Sequence, residues 1–298
     1  MKPEPGALLA DWLPPERGMR SLMVHRLDDT SQGPAQEGCW VVEELALRID
    51  VQDVGQYTLM CTPTGSPDAS GYLAQDGLLG EPGDPGALAL AAGFLLTEGL
   101  IDGLEQLESM AICPDAAHVV QVRLVDPHRA HTTRRSGLVA SSCGLCGAID
   151  DVIAADGLGV GSTLVLGTQQ LHHCMQAMRA QQAIFSRTGG THAAALFAAD
   201  GSLLALAEDL GRHNALDKVI GHCLLTGVPL AGTFVMLSGR VSLEMITKAA
   251  RAGIELVAAV SAPSSLAVDV AQRVGITLCG FVRGNRLTAF SHPHRLGD

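Results

Sequence analysis

The sequence predicts an α/β protein: a layered sheet with helices, preceded by a smaller N-terminal lobe. Three observations carry this. First, the last 70 residues alternate strand, helix, strand, helix, strand: Thr233 to Leu237, Ser242 to Arg251, Ile254 to Val260, Ser264 to Val274 and Ile276 to Val282. Gly253 and Gly275 close the two helices, and such short connections imply right-handed crossovers in a largely parallel sheet. Second, two alternating segments and a helix apolar nearly all round, Ala87 to Thr97, stand well before that unit. Third, 298 residues with 47% hydrophobic content can build a full core, and aromatics at 3% leave Ala, Leu, Val and Ile to fill it.

Taken in order, residues 1–40 are rich in Pro, Gly and Gln with weak periodicity and read as a flexible tail. Residues 41–136 form the N-terminal lobe. Glu43 to Ile49 alternates as a half-buried strand, and Gln56 to Cys61 is its partner. Thr62 to Gly86 is dense in Gly, Pro, Ser and Asp and reads as a long loop before the buried helix. His118 to Val125 is a further strand, and a polar connection with Arg134 and Arg135 follows it. In residues 137–298, Thr168 to Phe185 reads as one amphipathic helix. His192 to Ala198 and Leu203 to Ala207 form a hairpin, and Asn214 to Leu225 is a helix with Asn214 as its cap.

The charge of −11 argues against a general nucleic-acid binder, which needs clustered Lys and Arg. It leaves room for a small anion held by one loop and two arginines. The most apolar run, Ala87 to Leu96, is short of the roughly 20 residues a membrane span requires. Glu4, Asp11 and Pro14-Pro15 stand where a signal peptide would be basic and then apolar, so a cytoplasmic protein is expected.

Of eight cysteines, six show no metal-like spacing and read as small hydrophobes. Cys143 and Cys146 differ: in Ser141-Ser142-Cys143-Gly144-Leu145-Cys146-Gly147 a glycine follows each thiol. Glycines add nothing to packing, so the pair belongs on a mobile loop. It could exchange sulfur, hold half a zinc site, or do thiol–disulfide chemistry. Against a zinc deaminase, Ala194 stands where His192 would need a glutamate two positions on, no proline precedes Cys143, and the cysteines come before the histidine. Against a thioredoxin-like site, which wants its cysteines at a helix start after a strand, Gly147 and the acidic Asp150-Asp151 make a poorer, though not impossible, helix entrance. A thiolate on a flexible loop can instead take a sulfane sulfur and carry it.

In an open sheet, ligands gather at the carboxyl ends of the strands. Ser238-Gly239-Arg240, Ser261-Ala262-Pro263-Ser264 and Arg283-Gly284-Asn285-Arg286 fall there, and their arginines suit an anion or nucleotide. Arg187-Thr188-Gly189-Gly190-Thr191-His192 adds a glycine-rich turn. Asp209, Arg212, His213, Asp217 and Lys218 form a dense polar cluster that a solvated helix start would also produce.

With these motifs, and with Gly93-Phe94-Leu95-Leu96-Thr97-Glu98-Gly99, Asp209 to Lys218 and Gly280 to Gly284, the chain from about Val42 to His294 resembles the formate dehydrogenase accessory sulfurtransferases, the FdhD family. The resemblance implies a cytidine-deaminase-like fold without zinc chemistry, and a homodimer. It implies a sulfur carrier charged by a cysteine desulfurase. That sulfur goes to Mo-bis(molybdopterin guanine dinucleotide), the bound substrate, before the cofactor enters formate dehydrogenase. By position Cys143 would carry the persulfide and Cys146 would assist. Phe281, Val282, Arg283, Gly284, Asn285 and Arg286 would contact the cofactor, with no metal ligands of the protein's own. An insertion near 64–81 departs from the family pattern. Two other readings stay open: a non-catalytic cofactor chaperone and a zinc-dependent deaminase-like hydrolase.

Overall fold

The structure is a computed structural model, which describes residues 18–27, 35–64, 70–80, 85–130, 137–139 and 157–297. Strands β1 (Met19–Arg26) and β2 (Ala35–Val42) pair as an antiparallel ribbon. All of β1 and all but the last two residues of β2 lie inside the stretch expected to be a tail. The ribbon buries little of either face of β1, so its sequence lacks the alternation that would reveal it.

The N-terminal lobe is built on β3 (Leu45–Val51), β4 (Gly55–Cys61), β5 (Gly71–Leu73), β6 (Gly77–Leu79), β7 (Leu107–Cys113), β8 (Ala116–Leu124) and β9 (Gly137–Val139). They form one sheet in the order β6-β5-β7-β8-β3-β4-β9. The loop expected across 62–86 therefore carries a small hairpin, and the insertion lengthens the sheet at the β7 edge. Strand β7 had no counterpart in the sequence reading. Glu108 and Ser109 fall between its buried Leu107 and Met110, which breaks strict alternation.

Helix α1 (Ala87–Thr97) is where the sequence puts it, and all its residues but the first are buried. It packs on the N-terminal sheet on one side and on α4 (Arg212–Leu225) on the other. Ahead of α4 come α2 (Thr168–Ala180) and α3 (Ala183–Thr188), which replace the single helix expected from 168 to 185. Helices α5 (Leu243–Arg251) and α6 (Ser265–Val274) complete the set among the described residues.

The second sheet contains β11 (His192–Phe197), β12 (Leu203–Asp209), β13 (Phe234–Leu237), β14 (Leu256–Ala259), β15 (Thr277–Arg283) and β16 (Arg286–Ser291), ordered β12-β11-β13-β14-β15-β16. Only β13, β14 and β15 run parallel. The flanking β11, β12 and β16 are antiparallel, so the sheet is mixed rather than largely parallel. Its inner strands β11, β13 and β14 are buried on both faces. Val235 and Leu237 face the α4–α5–α6 side, while Phe234 and Met236 face α2, whose Leu171, Cys174, Met175 and Met178 recur at helical spacing. A parallel pair, β10 (Leu166–Gly167) with β17 (Leu296–Gly297), closes that outer layer.

One core runs through the seven-stranded sheet, α1, α4 and the six-stranded sheet. Close contact between α1 and α4 depends on glycine at two places. A Cβ on Gly93 would overlap the carbonyl of Asp217, and one on Gly221 would overlap the carbonyl of Ala89.

Candidate functional site

The polar cluster from Asp209 to Lys218 is mostly interior. Helix α4 begins at Arg212 after Gly211, with no side-chain cap. Asn214, expected to cap it, instead donates to the Met60 carbonyl (2.7 Å) and to Asp209 Oδ1 (3.0 Å). Asp209 and Lys218 are almost wholly buried and pair at 2.8 Å. Lys218 Nζ also donates to the Thr62 carbonyl (2.8 Å) and Thr64 Oγ1 (2.7 Å), and the Thr62 amide donates back to Asp209 Oδ2 (3.0 Å). This satisfies charges that burial would otherwise make costly, and it pins the chain leaving β4 to the start of α4.

A second buried node adjoins it at Asp217, the residue before Lys218. Lys248 Nζ lies 2.9 Å from Asp217 Oδ2, 2.7 Å from Glu98 Oε1 and 2.8 Å from Thr97 Oγ1. Thr97 Oγ1 donates in turn to Asp217 Oδ1 (2.8 Å). The solvated helix start that would mimic a site is thus excluded. Asp217 and Lys218 belong to the frame.

The strand-end edge holds what the frame positions. Because β11 runs antiparallel to β13, His192 at its start lies beside the carboxyl end of β13 and pairs in register with Asp209. The turn Ser238-Gly239-Arg240 comes from that end. Ser238 Oγ accepts from the Ala193 amide at 2.8 Å. Gly239 fits against His192: a Cβ there would stand 3.1 Å from His192 Nδ1 and 3.8 Å from Arg212 Cβ. His213 Nε2 lies 3.0 Å from Glu244 Oε2 and 3.4 Å from Ser242 Oγ. Burial, then Arg212, His213 and Arg240, push the His192 imidazole below its usual pKa. Burial and then Arg240 likewise lower that of Arg212.

The segment 281–286 closes the same edge. The Phe281 amide donates to the Ser261 carbonyl (3.2 Å), and Arg283 Nε donates to the Val260 carbonyl (3.0 Å). Phe281 has φ 54°, a left-handed conformation that side chains seldom adopt, and its ring is 43% exposed. Val282 differs from its neighbours: its side chain is wholly buried against the α2 layer. Gly284 makes the tight turn at φ 55°, while Arg283, Asn285 and Arg286 are exposed.

Cys143, Cys146, Arg134 and Arg135 lie outside the described residues. The chain before the dithiol is held by pairing of β9 with β4. After it, the Thr163 and Leu164 amides donate to Glu255 Oε2 at 2.7 and 2.9 Å. Among the described residues no three His, Cys, Asp or Glu side chains gather into a metal-sized cluster. No described helix is long and apolar enough to cross a membrane. The sequence names His192, Arg212 and Arg240 separately. Their meeting depends on the antiparallel placement of β11, which no local pattern reveals.

Two packed sheets around an α1–α4 layer define the fold of this protein, and a solved structure shares that fold. A crystal structure described as that of a formate dehydrogenase accessory protein from Desulfotalea psychrophila superposes with a TM-score of 0.67 and 23% identity, covering 93% of this chain and 98% of that one. Residues 82–297 match the model of the FdhD/NarQ family. The sulfur carrier protein FdhD of Streptomyces avermitilis is 42% identical over 231 residues, 72% of this chain and 80% of the relative. That of Thermoplasma acidophilum is 42% identical over 211 residues, 70% and 74% of the two chains. The chain belongs to the FdhD/NarQ family.

Proposed function

We propose that this protein is a sulfur carrier acting through Cys143. The observation that carries the reading is its 42% identity to proteins named as sulfur carriers, in a chain that holds Cys143-Gly144-Leu145-Cys146-Gly147. The Cys143 thiolate attacks the outer sulfur of a cysteine desulfurase persulfide. That S–S bond breaks, the desulfurase leaves as a thiolate, and Cys143 becomes the persulfide. Cys146 thiolate then attacks the Cys143 sulfur. The Cys146 thiolate supplies the electron pair of the new Cys143–Cys146 disulfide, the persulfide S–S bond breaks, the terminal sulfur leaves as hydrosulfide, and an external thiol later reduces the disulfide.

The recipient in this reading is the molybdenum of Mo-bis(molybdopterin guanine dinucleotide), sulfurated before the cofactor enters formate dehydrogenase. The exposed ring of Phe281 suits stacking on guanine, and Arg283 with Arg286 suits its phosphates. The order β12-β11-β13-β14-β15 supports a cytidine-deaminase-like description of the second sheet. A cytoplasmic homodimer completes the proposal.

Incubation with a cysteine desulfurase and cysteine, followed by mass mapping, is expected to place a reducible extra sulfur on Cys143. Cys143→Ala should lose it, and Cys146→Ala should retain it but release less sulfide. A Cys143→Ala variant that still supported formate dehydrogenase would point to a non-catalytic chaperone instead. For the nucleotide, Arg283→Ala is expected to weaken GDP binding by about 1.5–3 kcal/mol, the cost of a lost charge-assisted contact. Unchanged affinity in a calorimetric titration would put the phosphates elsewhere.

A further inference from the structure

The segment 281–286 does not account for all the positive charge on the strand-end edge. His192 enters from the start of β11, Arg212 from the first residue of α4, and Arg240 from the turn after β13. Gly239 brings the first two within contact of one turn, and the fields of Arg212 and Arg240 both reach His192. Two guanidinium groups this close repel; Glu244 offsets part of that at Arg212, though no carboxylate among the described residues stands at ion-pair distance from either arginine.

The nearby acids are occupied. Asp209 is held by Lys218 and three further donors, and Glu244 reaches His213. Two polar atoms in this cluster, Arg212 Nε and His213 Nδ1, are buried without a hydrogen-bond partner among the described residues, and His213 itself is only 5% exposed. The Arg212 Nε–H is an unpaired buried donor, and an anion would satisfy it while offsetting the mutual repulsion of Arg212 and Arg240 that Glu244 offsets only in part. The amino end of the 14-residue α4, uncapped by any side chain, adds to the same field.

We propose that His192, Arg212 and Arg240 form a phosphate subsite, separate from residues 281–286, for the phosphoryl groups of a guanine nucleotide. This rests on the guanine-nucleotide reading above. Arg240 and Arg212 supply fixed charge, and His192 is the adjustable member. Facing it are Arg212 and His213 from α4, Arg240 after β13, and Asp209 at the end of β12, the only one of the four to favour the protonated ring. Burial and the arginines keep His192 neutral in the free protein. A phosphate dianion reverses that field, so His192 takes up a proton as the ligand binds. Binding therefore weakens as pH rises through the imidazole range of the complex.

The test is calorimetric titration of the full-length protein with GDP, inorganic pyrophosphate and guanosine, in buffers of different ionisation enthalpy from about pH 6 to about pH 8. Wild type should take up protons with GDP and pyrophosphate but not with guanosine. His192→Gln should abolish the uptake and flatten the pH dependence. Arg240→Ala, at an exposed position that leaves the core intact, should weaken both phosphate ligands about tenfold or more. Unchanged proton uptake in His192→Gln would overturn the subsite. So would unchanged GDP and pyrophosphate affinity in Arg240→Ala, even with GDP binding still sensitive to Arg283, and the nucleotide reading would then survive alone. If pyrophosphate bound with His192-dependent uptake but GDP bound no more tightly, the subsite would stand and the guanine reading would fall. No binding of either phosphate ligand would remove both.

Discussion

Lys248→Met is expected to destabilise the fold by about 3–5 kcal/mol, the usual cost of removing one member of a buried ion pair. Methionine keeps the apolar stem and removes only the charge and its donors. Asp217 would be left fully buried with Thr97 as its remaining side-chain donor, and Glu98 would lose its 2.7 Å partner. Burial already pushes the Asp217 carboxyl above its ordinary pKa, and Lys248 is the group that pulls it back. Without the lysine its folded-state pKa rises further above that of the unfolded chain. The folded variant then binds the extra proton. Its penalty is complete above the folded pKa and shrinks as pH falls toward the ordinary carboxylate value of about 4. Urea unfolding at about pH 7.5 and about pH 5 checks both size and sign. A loss below about 1 kcal/mol, or one as large at the lower pH, would contradict the account. Adding Asp217→Asn to the variant should recover part of the loss, because the stranded charge is gone.

The same node shows why some of this protein could be read from its sequence and some could not. The unit from β13 through β15 is legible because its information is local. Short strands alternate with helices, the Ser264 hydroxyl accepts from the Ala267 amide to start α6, and Gly275 ends it at φ 84°. Helix α1 is legible because it is apolar all round, which only a fully buried helix requires. The ribbon β1–β2, the hairpin β5–β6 and strand β16 are not, since exposed or edge strands carry no strong pattern. Among polar residues the sequence cannot separate Arg212 from Lys218. Both stand in Asp209 to Lys218, yet the fold turns one toward the strand-end edge and buries the other against Asp209 and Thr62. Val282 is the converse case. It sits inside a segment of exposed residues, and the backbone irregularity between Gly280 and Arg283 leaves its side chain in the core.

Gly93→Ala should cost about 3 kcal/mol, although alanine is the better helix former by about 0.5–1 kcal/mol. The added methyl would overlap the backbone carbonyl of Asp217, and no rotamer change can move a carbonyl bound into a helix. Relief requires α1 and α4 to separate, but α1 is backed by the N-terminal sheet, with Phe94 packed 5.3 Å from Tyr57 between ring centroids. Overpacking therefore outweighs propensity. Denaturant midpoints measure the stability change, and a variant more stable than wild type would show that the helices are not in the contact described. The effect should also reach the strand-end edge. Asp217 lies five residues beyond Arg212 on the same helix, so displacing α4 moves Arg212 and His213 relative to His192 and the Gly239 turn. Pyrophosphate affinity should fall even at temperatures where Gly93→Ala remains folded. An unchanged affinity would mean that α4 keeps its position and that the overlap is absorbed elsewhere in the core.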